Sequence, residues 1–195
     1  MSLESIVKFL TETDKLKLVE RHTSPIDSPR KENVAEHSWQ LVLMAILLKD
    51  YANEKININK VVKMLIIHDL VEIYAGDTFL FDNQNSHDNN DQELHAAKNL
   101  YKILPKSNEN ELYGLWYEFE YGDTPEKHYA KSIDRFAPVL LNFNNKGGTW
   151  KKHNISYENL INKLNPINKG SEKLWELTLN YLDKLIQDGH IRCEK

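Results

Sequence analysis

Residues 61–74 read Val61-Val62-Lys63-Met64-Leu65-Ile66-Ile67-His68-Asp69-Leu70-Val71-Glu72-Ile73-Tyr74. At helical spacing this run is apolar nearly all round, and a helix without a polar face belongs in the middle of a domain. Asn59 stands where an N-cap is expected, and Gly76 where the helix stops. The informative residues are His68, Asp69 and Glu72, because an ionised carboxylate buried without a partner costs several kcal/mol at least. Such groups must be paired, protonated or bound to a metal. Neighbouring helical residues diverge by about 100°, and position i+4 lies nearly above position i. His68 and Asp69 can therefore approach one ion from adjacent directions, with Glu72 one turn further along. A His68–Asp69 hydrogen bond with Glu72 paired to an arginine would satisfy the same residues, and this helix alone does not separate the two arrangements.

Helical periodicity extends on both sides of this run. Ile6, Phe9 and Leu10, with Leu16, Leu18 and Val19 beyond, predict a first helix over about 2–20. Ser24-Pro25 and Ser28-Pro29 make 21–32 a loop, since proline disfavours helix at the residue before it. Asn33 with Glu36 three positions on reads as a capping box that opens a helix to about Lys49. Residues 82–91 (DNQNSHDNND) read as a polar, mobile loop. Further helices fit about 91–104, 109–120 and 125–143, followed by a loop at Gly147-Gly148. Ser171, with Glu172 and Glu176, opens a last helix that Gly189 stops. Thr78 to Phe81 is only a short β-compatible piece. The fold class is all-α, a globular multi-helix bundle, with 1–195 as a single domain.

Composition agrees and narrows the function classes. The chain has 195 residues, 41% hydrophobic and 28% charged, a balance suited to one globular domain. Its longest apolar runs fall well short of the roughly 18 residues that suggest a membrane span, and the start lacks the pattern of a secretory signal. A lone cysteine, Cys193, fits a reducing, cytoplasmic setting. A net charge of −4 argues against a nucleic-acid backbone as the main ligand.

Two further positions bear on the helix chemistry. His37 lies in the first turn of its helix, between Glu36 and Ser38. Asp134 is the acid in Ser132-Ile133-Asp134-Arg135-Phe136-Ala137-Pro138-Val139-Leu140-Leu141, a second largely apolar stretch. With Asn33-Val34-Ala35-Glu36-His37, His68-Asp69-Leu70-Val71-Glu72 and Gly76-Asp77, the chain from about Leu16 to Leu141 resembles the HD-domain metal-dependent phosphohydrolases, in the branch typified by the bacterial 5′-deoxynucleotidases. The resemblance implies an HD bundle with a metal site between its central helices, where His37, His68, Asp69 and Asp134 hold one divalent ion. Two nitrogens and two carboxylates suit manganese, cobalt, iron, nickel or zinc, without choosing among them.

The resemblance also assigns proton transfer to Glu72 and Asp77. Glu72 stands close enough to the ligand pair to orient or deprotonate an attacking water. Asp77, just past the helix end, could guide that water or protonate the leaving oxygen, or serve only as a turn-forming acid. Arg21, Arg30 and Lys131 are candidate phosphate contacts, with a solvated surface charge as the alternative for each. The residue after Arg21, a tryptophan near the sugar in those nucleotidases, is His22 here. His87, His95, His153 and His190 fall outside the pattern and read as surface histidines. Pro138 has no amide hydrogen for the carbonyl of Asp134, so a kink is expected there.

The reading is a phosphomonoesterase acting on (deoxy)nucleoside 5′-monophosphates or a similar small phosphate ester. A phosphodiesterase or alarmone hydrolase, or a non-catalytic nucleotide-binding HD protein, remains open. A homodimer is implied by the resemblance and by a surplus of aromatic residues, among them Tyr113, Tyr117 and Phe119.

Overall fold

The structure, a computed structural model, describes residues 2–82 and 86–193, with 86–90 given by backbone alone. Helices α1 (Leu3–Thr13), α2 (Val34–Leu48), α3 (Ile58–Ile67), α4 (Glu72–Ala75), α5 (Ser86–Tyr101) and α6 (Lys106–Tyr121) form the first part. They are followed by α7 (Pro125–Asn144), α8 (Gly148–Lys152), α9 (Tyr157–Leu164), α10 (Pro166–Gly170) and α11 (Glu172–Gln187). Among the described residues there is no strand. Extended backbone pairs only as isolated bridges, Glu20 with Asn33 and Ser156 with Arg192.

Local chemistry accounts for the helix ends. Asn33 and Glu36 form the reciprocal box, with the Glu36 amide donating to Asn33 Oδ1 at 3.0 Å and the Asn33 amide to Glu36 Oε2 at 3.1 Å. Ser171 caps α11 through its side chain, and Gly189 takes the left-handed φ of 71° just beyond it. The cap of α3 is Asn57 rather than Asn59: its side chain accepts from the amides of Asn59 and Lys60. The first helix stops at Thr13 and tightens into a 3₁₀ turn over Asp14–Leu18. The polar stretch expected as a loop is helical from Ser86 onward, while residues 83–85 lie outside the described residues.

Two cores meet at the run that opened the sequence reading. Val61, Met64 and Leu65 pack with Leu41, Ile133 and Trp150 in one. Ile67, Leu70 and Val71 pack with Leu100, Tyr101 and Trp116 in the other. Of the aromatic residues expected to overflow a single core, Trp116, Phe119 and Trp150 are buried and divided between these two, while Tyr117 and Trp39 are exposed. Helix α7 is central, burying Ile133, Ala137 and Val139. It runs through Pro138 as one assigned helix to Asn144. Helix α10 lies so close to α7 that a Cβ on Gly170 would stand 2.1 Å from the His128 carbonyl oxygen.

The run itself is not one continuous α-helix. It is α-helical to Ile67, turns as a 3₁₀ segment over His68–Val71, and resumes briefly as α4. Two carbonyls at the break are taken by side chains. Nδ1 of His68 donates to the Leu65 carbonyl at 2.9 Å, and the Tyr101 hydroxyl donates to the Ile67 carbonyl at 3.1 Å. Those oxygens would otherwise accept the amides of Asp69 and Val71. The expected burial on every face is also incomplete, since Ile66 and Tyr74 are about half exposed.

Candidate metal centre

His68 and Asp69 therefore sit at the seam between the two cores, on backbone already bent away from the α-helical path. The bond from His68 Nδ1 to Leu65 assigns the proton to that nitrogen and turns Nε2 toward the site. His37 arrives from the capped first turn of α2, and Asp134 from the middle of α7. His37 Nε2 lies 3.2 Å from Asp134 Oδ1 and 4.0 Å from Asp69 Oδ2. His68 Nε2 lies 3.0 Å from Asp69 Oδ2 and 3.7 Å from Asp134 Oδ1.

These separations suit one ion. Ligands about 2.1 Å from a shared cation stand roughly 3 Å apart at right angles and about 4.2 Å apart when opposed. His37, His68 and Asp69 each offer a ligand atom within 4.8 Å of the others. His68 Nε2 is buried, 3.0 Å from Asp69 Oδ2, and makes no regular hydrogen bond. An imidazole lone pair and converging carboxylates constitute a donor set that a divalent cation satisfies.

Electrostatics separates the two histidines in the metal-free protein. Burial, with the nearby Arg21 guanidinium, pushes His37 down to about 4. For His68 burial works downward too, but the Asp69 and Asp134 carboxylates hold the ring up at about 10. Burial opposes ionisation of Asp69 as well, and the His68 and Arg21 charges overcome it, bringing that acid to about 2. Burial and the like charges of Asp69 and Asp77 push Glu72 well above the carboxylate range. Its Oε2 is buried without a hydrogen-bond partner. Asp77 is also raised, by burial first and by Asp69, against the pull of Arg21.

His68, Asp69 and Asp134 border one cavity of about 400 Å³, with His37 behind them. Glu72 and Asp77 line it together with Lys131, Arg135, His22 and Phe79. Arg21 also lines it, but as a bridge: Nη1 is 3.2 Å from Asp69 Oδ2 and 3.3 Å from Asp77 Oδ1. Its Nε is 3.5 Å from Glu32 Oε2. Lys131 stands 3.1 Å from Glu120 Oε2 and 3.9 Å above the Phe119 ring. Arg30 is not brought to the cavity. It is exposed and grips Glu36 with both terminal nitrogens, at 2.8 and 2.9 Å.

Two lining residues, Arg135 and Glu93, gave no sequence signal. Arg135 follows Asp134 directly and lies 3.5 Å from its Oδ2, on the side away from His37. Glu93 enters from α5, in the stretch from about 91 that reads as a helix but with nothing to mark this acid for the site. His153, read as a surface histidine, is exposed but packs its ring 4.9 Å from Phe79, which also lies 4.9 Å from His22.

A bundle of central helices that converge two histidines and two aspartates on one point defines a class, and the chain belongs to the HD-domain family, whose pattern matches residues 13–175. Human 5′-deoxynucleotidase HDDC2 (Homo sapiens) is 30% identical over 138 residues, 70% of this chain and 66% of that protein. Its bovine counterpart (Bos taurus) is 30% identical over 137 residues, 70% of this chain and 65% of that one. The chain thus spans just under two thirds of the length of these relatives. The crystal structure of a predicted metal-dependent phosphohydrolase from Magnetospirillum magnetotacticum MS-1 superposes with a TM-score of 0.92 at 39% identity. That match covers 97% of this chain and 95% of the other.

Proposed function

We propose that the protein is a metal-dependent phosphohydrolase, acting as a phosphomonoesterase on (deoxy)nucleoside 5′-monophosphates. The observation that carries this reading is the convergence of His37, His68, Asp69 and Asp134 beside a cavity lined by the raised acids Glu72 and Asp77 and by the basic side chains of Lys131 and Arg135. The names of the human and Magnetospirillum relatives agree with it. A cavity of about 400 Å³ falls within the range of small-molecule sites.

His37, His68, Asp69 and Asp134 would hold one divalent ion, with manganese, cobalt, iron, nickel and zinc all compatible with the donor set. Once bound, the ion supplies Lewis acidity and makes water a competent nucleophile at neutral pH. The chain's own residues do the rest. Lys131 and Arg135 offer positive charge to the phosphoryl oxygens, where transition-state charge is spread. Glu72, raised well above its ordinary value by burial and by the Asp69 and Asp77 charges, is suited to exchange a proton with water or with the leaving oxygen. Asp77 borders the same space and is steadied by Arg21. Arg21 holds Asp69 and Asp77 apart in fixed positions rather than standing free for phosphate.

The reading takes 1–195 as one domain and a cytoplasmic setting. Among the described residues no helix is long and apolar enough to cross a membrane. It also includes a homodimer. Trp39, Leu43, Ile46 and Leu47 on α2 are all strongly exposed, an apolar stripe that a second copy of the chain would cover. Light scattering across a dilution series tests that assembly, and a concentration-independent monomer mass rejects it.

The activity is tested by incubating the protein with nucleoside monophosphates, cyclic and linear phosphodiesters and nucleotide pyrophosphates, each with a panel of divalent metals. Release of inorganic phosphate from monoesters alone is the expected result. Turnover of diesters or pyrophosphates in preference to monoesters would replace the reading, and binding without turnover would make the protein a nucleotide-binding module.

A further inference from the structure

Glu32 is a buried acid, 4% exposed, in the loop just before the α2 cap. Backbone pairing fixes that loop: the Arg21 amide donates to the Glu32 carbonyl at 2.8 Å, and the Glu32 amide to the Thr23 carbonyl at 3.0 Å. The Thr23 hydroxyl donates to Glu32 Oε2 at 3.2 Å. The same oxygen lies 3.5 Å from Arg21 Nε and 3.8 Å from His37 Nδ1. Both of those nitrogens are buried without a hydrogen-bond partner, so Glu32 is the anion that faces them.

We infer that Glu32 is a positioning residue for the metal centre, orienting the His37 ring from behind and aligning the Arg21 guanidinium that spans Asp69 and Asp77. An imidazole can give a lone pair from Nε2 only if its proton resides on Nδ1. A carboxylate on the Nδ1 side favours that tautomer and raises the basicity of the ligating nitrogen. His68 meets the same need with a backbone carbonyl, that of Leu65. His37 Nδ1 makes no such bond to a backbone carbonyl, and the Glu32 carboxylate from the preceding loop is the acceptor that faces it instead. Through Arg21 the same carboxylate acts on Asp69, a second ligand. The inference rests on the metal-site reading above.

The test is a titration of the full-length, metal-free protein with Co²⁺, read by visible absorption, for wild type and Glu32→Gln. Loss of an outer partner of a ligating histidine typically weakens metal binding by about 10- to 100-fold, and Glu32→Gln is expected in that range with little change in the melting temperature of the metal-free form. A merely structural Glu32 would lower that melting temperature and leave the affinity of the folded protein unchanged, which overturns the assignment. Should Glu32→Gln fail to fold, Thr23→Val removes the hydroxyl that steadies the carboxylate. Weaker Co²⁺ binding in that variant supports the role, and wild-type affinity overturns it. Failure of wild type to bind Co²⁺ is a separate result, and it rejects the metal-site reading itself.

Discussion

Asp134 Oδ1 lies 3.2 Å from His37 Nε2, although 97 residues separate the two in the chain. Helices α2 and α7 are held together nearby by the Tyr129 hydroxyl, which donates to the Ala45 carbonyl at 3.0 Å. The cluster of candidate ligands is therefore a product of core packing, and its second carboxylate comes from a helix far from the first in sequence. Asp134→Asn keeps the shape and one oxygen but removes the charge. It is expected to weaken divalent-metal binding by more than the roughly 100-fold seen for outer-shell changes. Metal content after dialysis, by elemental analysis, checks this; retention of a full equivalent would exclude Asp134 as a ligand.

Burial raises Glu72 well above the carboxylate range and raises Asp77 from its ordinary value, and both border the cavity. Glu72 lacks a hydrogen-bond partner at Oε2, whereas Asp77 is tied to Arg21. Glu72→Gln is accordingly expected to lose about 100-fold or more in kcat, the usual scale for a positioned acid or base. Metal content should remain near wild type. Full turnover in that variant would transfer the proton-handling role to Asp77.

The sequence carried much of this arrangement because its strongest signals are local. The Asn33–Glu36 box and the Ser171 cap act over one helical turn, and the structure has both. The break at His68 was invisible because its cause is partly distant: the Tyr101 hydroxyl comes from α5 to reach the Ile67 carbonyl. Arg30 looked like a free cation, yet Glu36 presents its carboxylate to the cap on one side and to Arg30 on the other. Glu32 had no periodic context to mark it as buried, since its environment is made by a loop pairing back on residues 21–23. Helices α9 and α10, of 8 and 5 residues, are too short to stand out by periodicity as the 16-residue α11 does.

The different placements of the basic residues give a contrast in kinetics. Lys131 lines the cavity, while Arg30 is spent on an exposed pair with Glu36. Hydrogen bonds to charged groups contribute about 1.5–3 kcal/mol, so Lys131→Met is expected to lower kcat/KM roughly 10- to 100-fold. Exposed ion pairs are worth about 0–1 kcal/mol, and Arg30→Ala should leave kcat/KM within about twofold of wild type. A large loss in Arg30→Ala with none in Lys131→Met would reverse the assignment of phosphate contacts.

Glu93 supplies a pH signature for the metal-free protein. Burial, together with the Glu120 and Asp69 charges, pushes its carboxyl up to about 7. A carboxyl raised in the folded state binds more protons there than in the unfolded chain, so its stabilising contribution is complete below the unfolded pKa and is lost as pH rises through about 7. Glu93→Gln, which stays neutral, is therefore expected to match wild type near pH 4 and to exceed it at pH 8. After allowance for solvent screening the gain is on the order of 1–2 kcal/mol. Urea unfolding of both proteins at the two pH values measures it. An equal difference at both pH values would mean that Glu93 does not titrate in this window.

Pro138 follows Asp134 by one turn within α7 and borders the cavity. In a regular helix the amide at 138 would bond to the Asp134 carbonyl, and proline supplies no hydrogen for it. The helix nonetheless continues to Asn144, and the Asn142 side chain donates to the Pro138 carbonyl at 2.8 Å, holding the next turn. The Asp134 backbone is thus released from one helical bond at the residue whose carboxylate must meet His37 and His68. Pro138→Ala would restore that bond, with a propensity gain of up to roughly 3 kcal/mol. If the released turn sets the carboxylate's aim, the variant should melt higher while binding Mn²⁺ several-fold more weakly. A higher melting temperature with unchanged Mn²⁺ affinity would show that the ring serves packing against the cavity wall, and that the Asp134 side chain finds its position from the surrounding core alone.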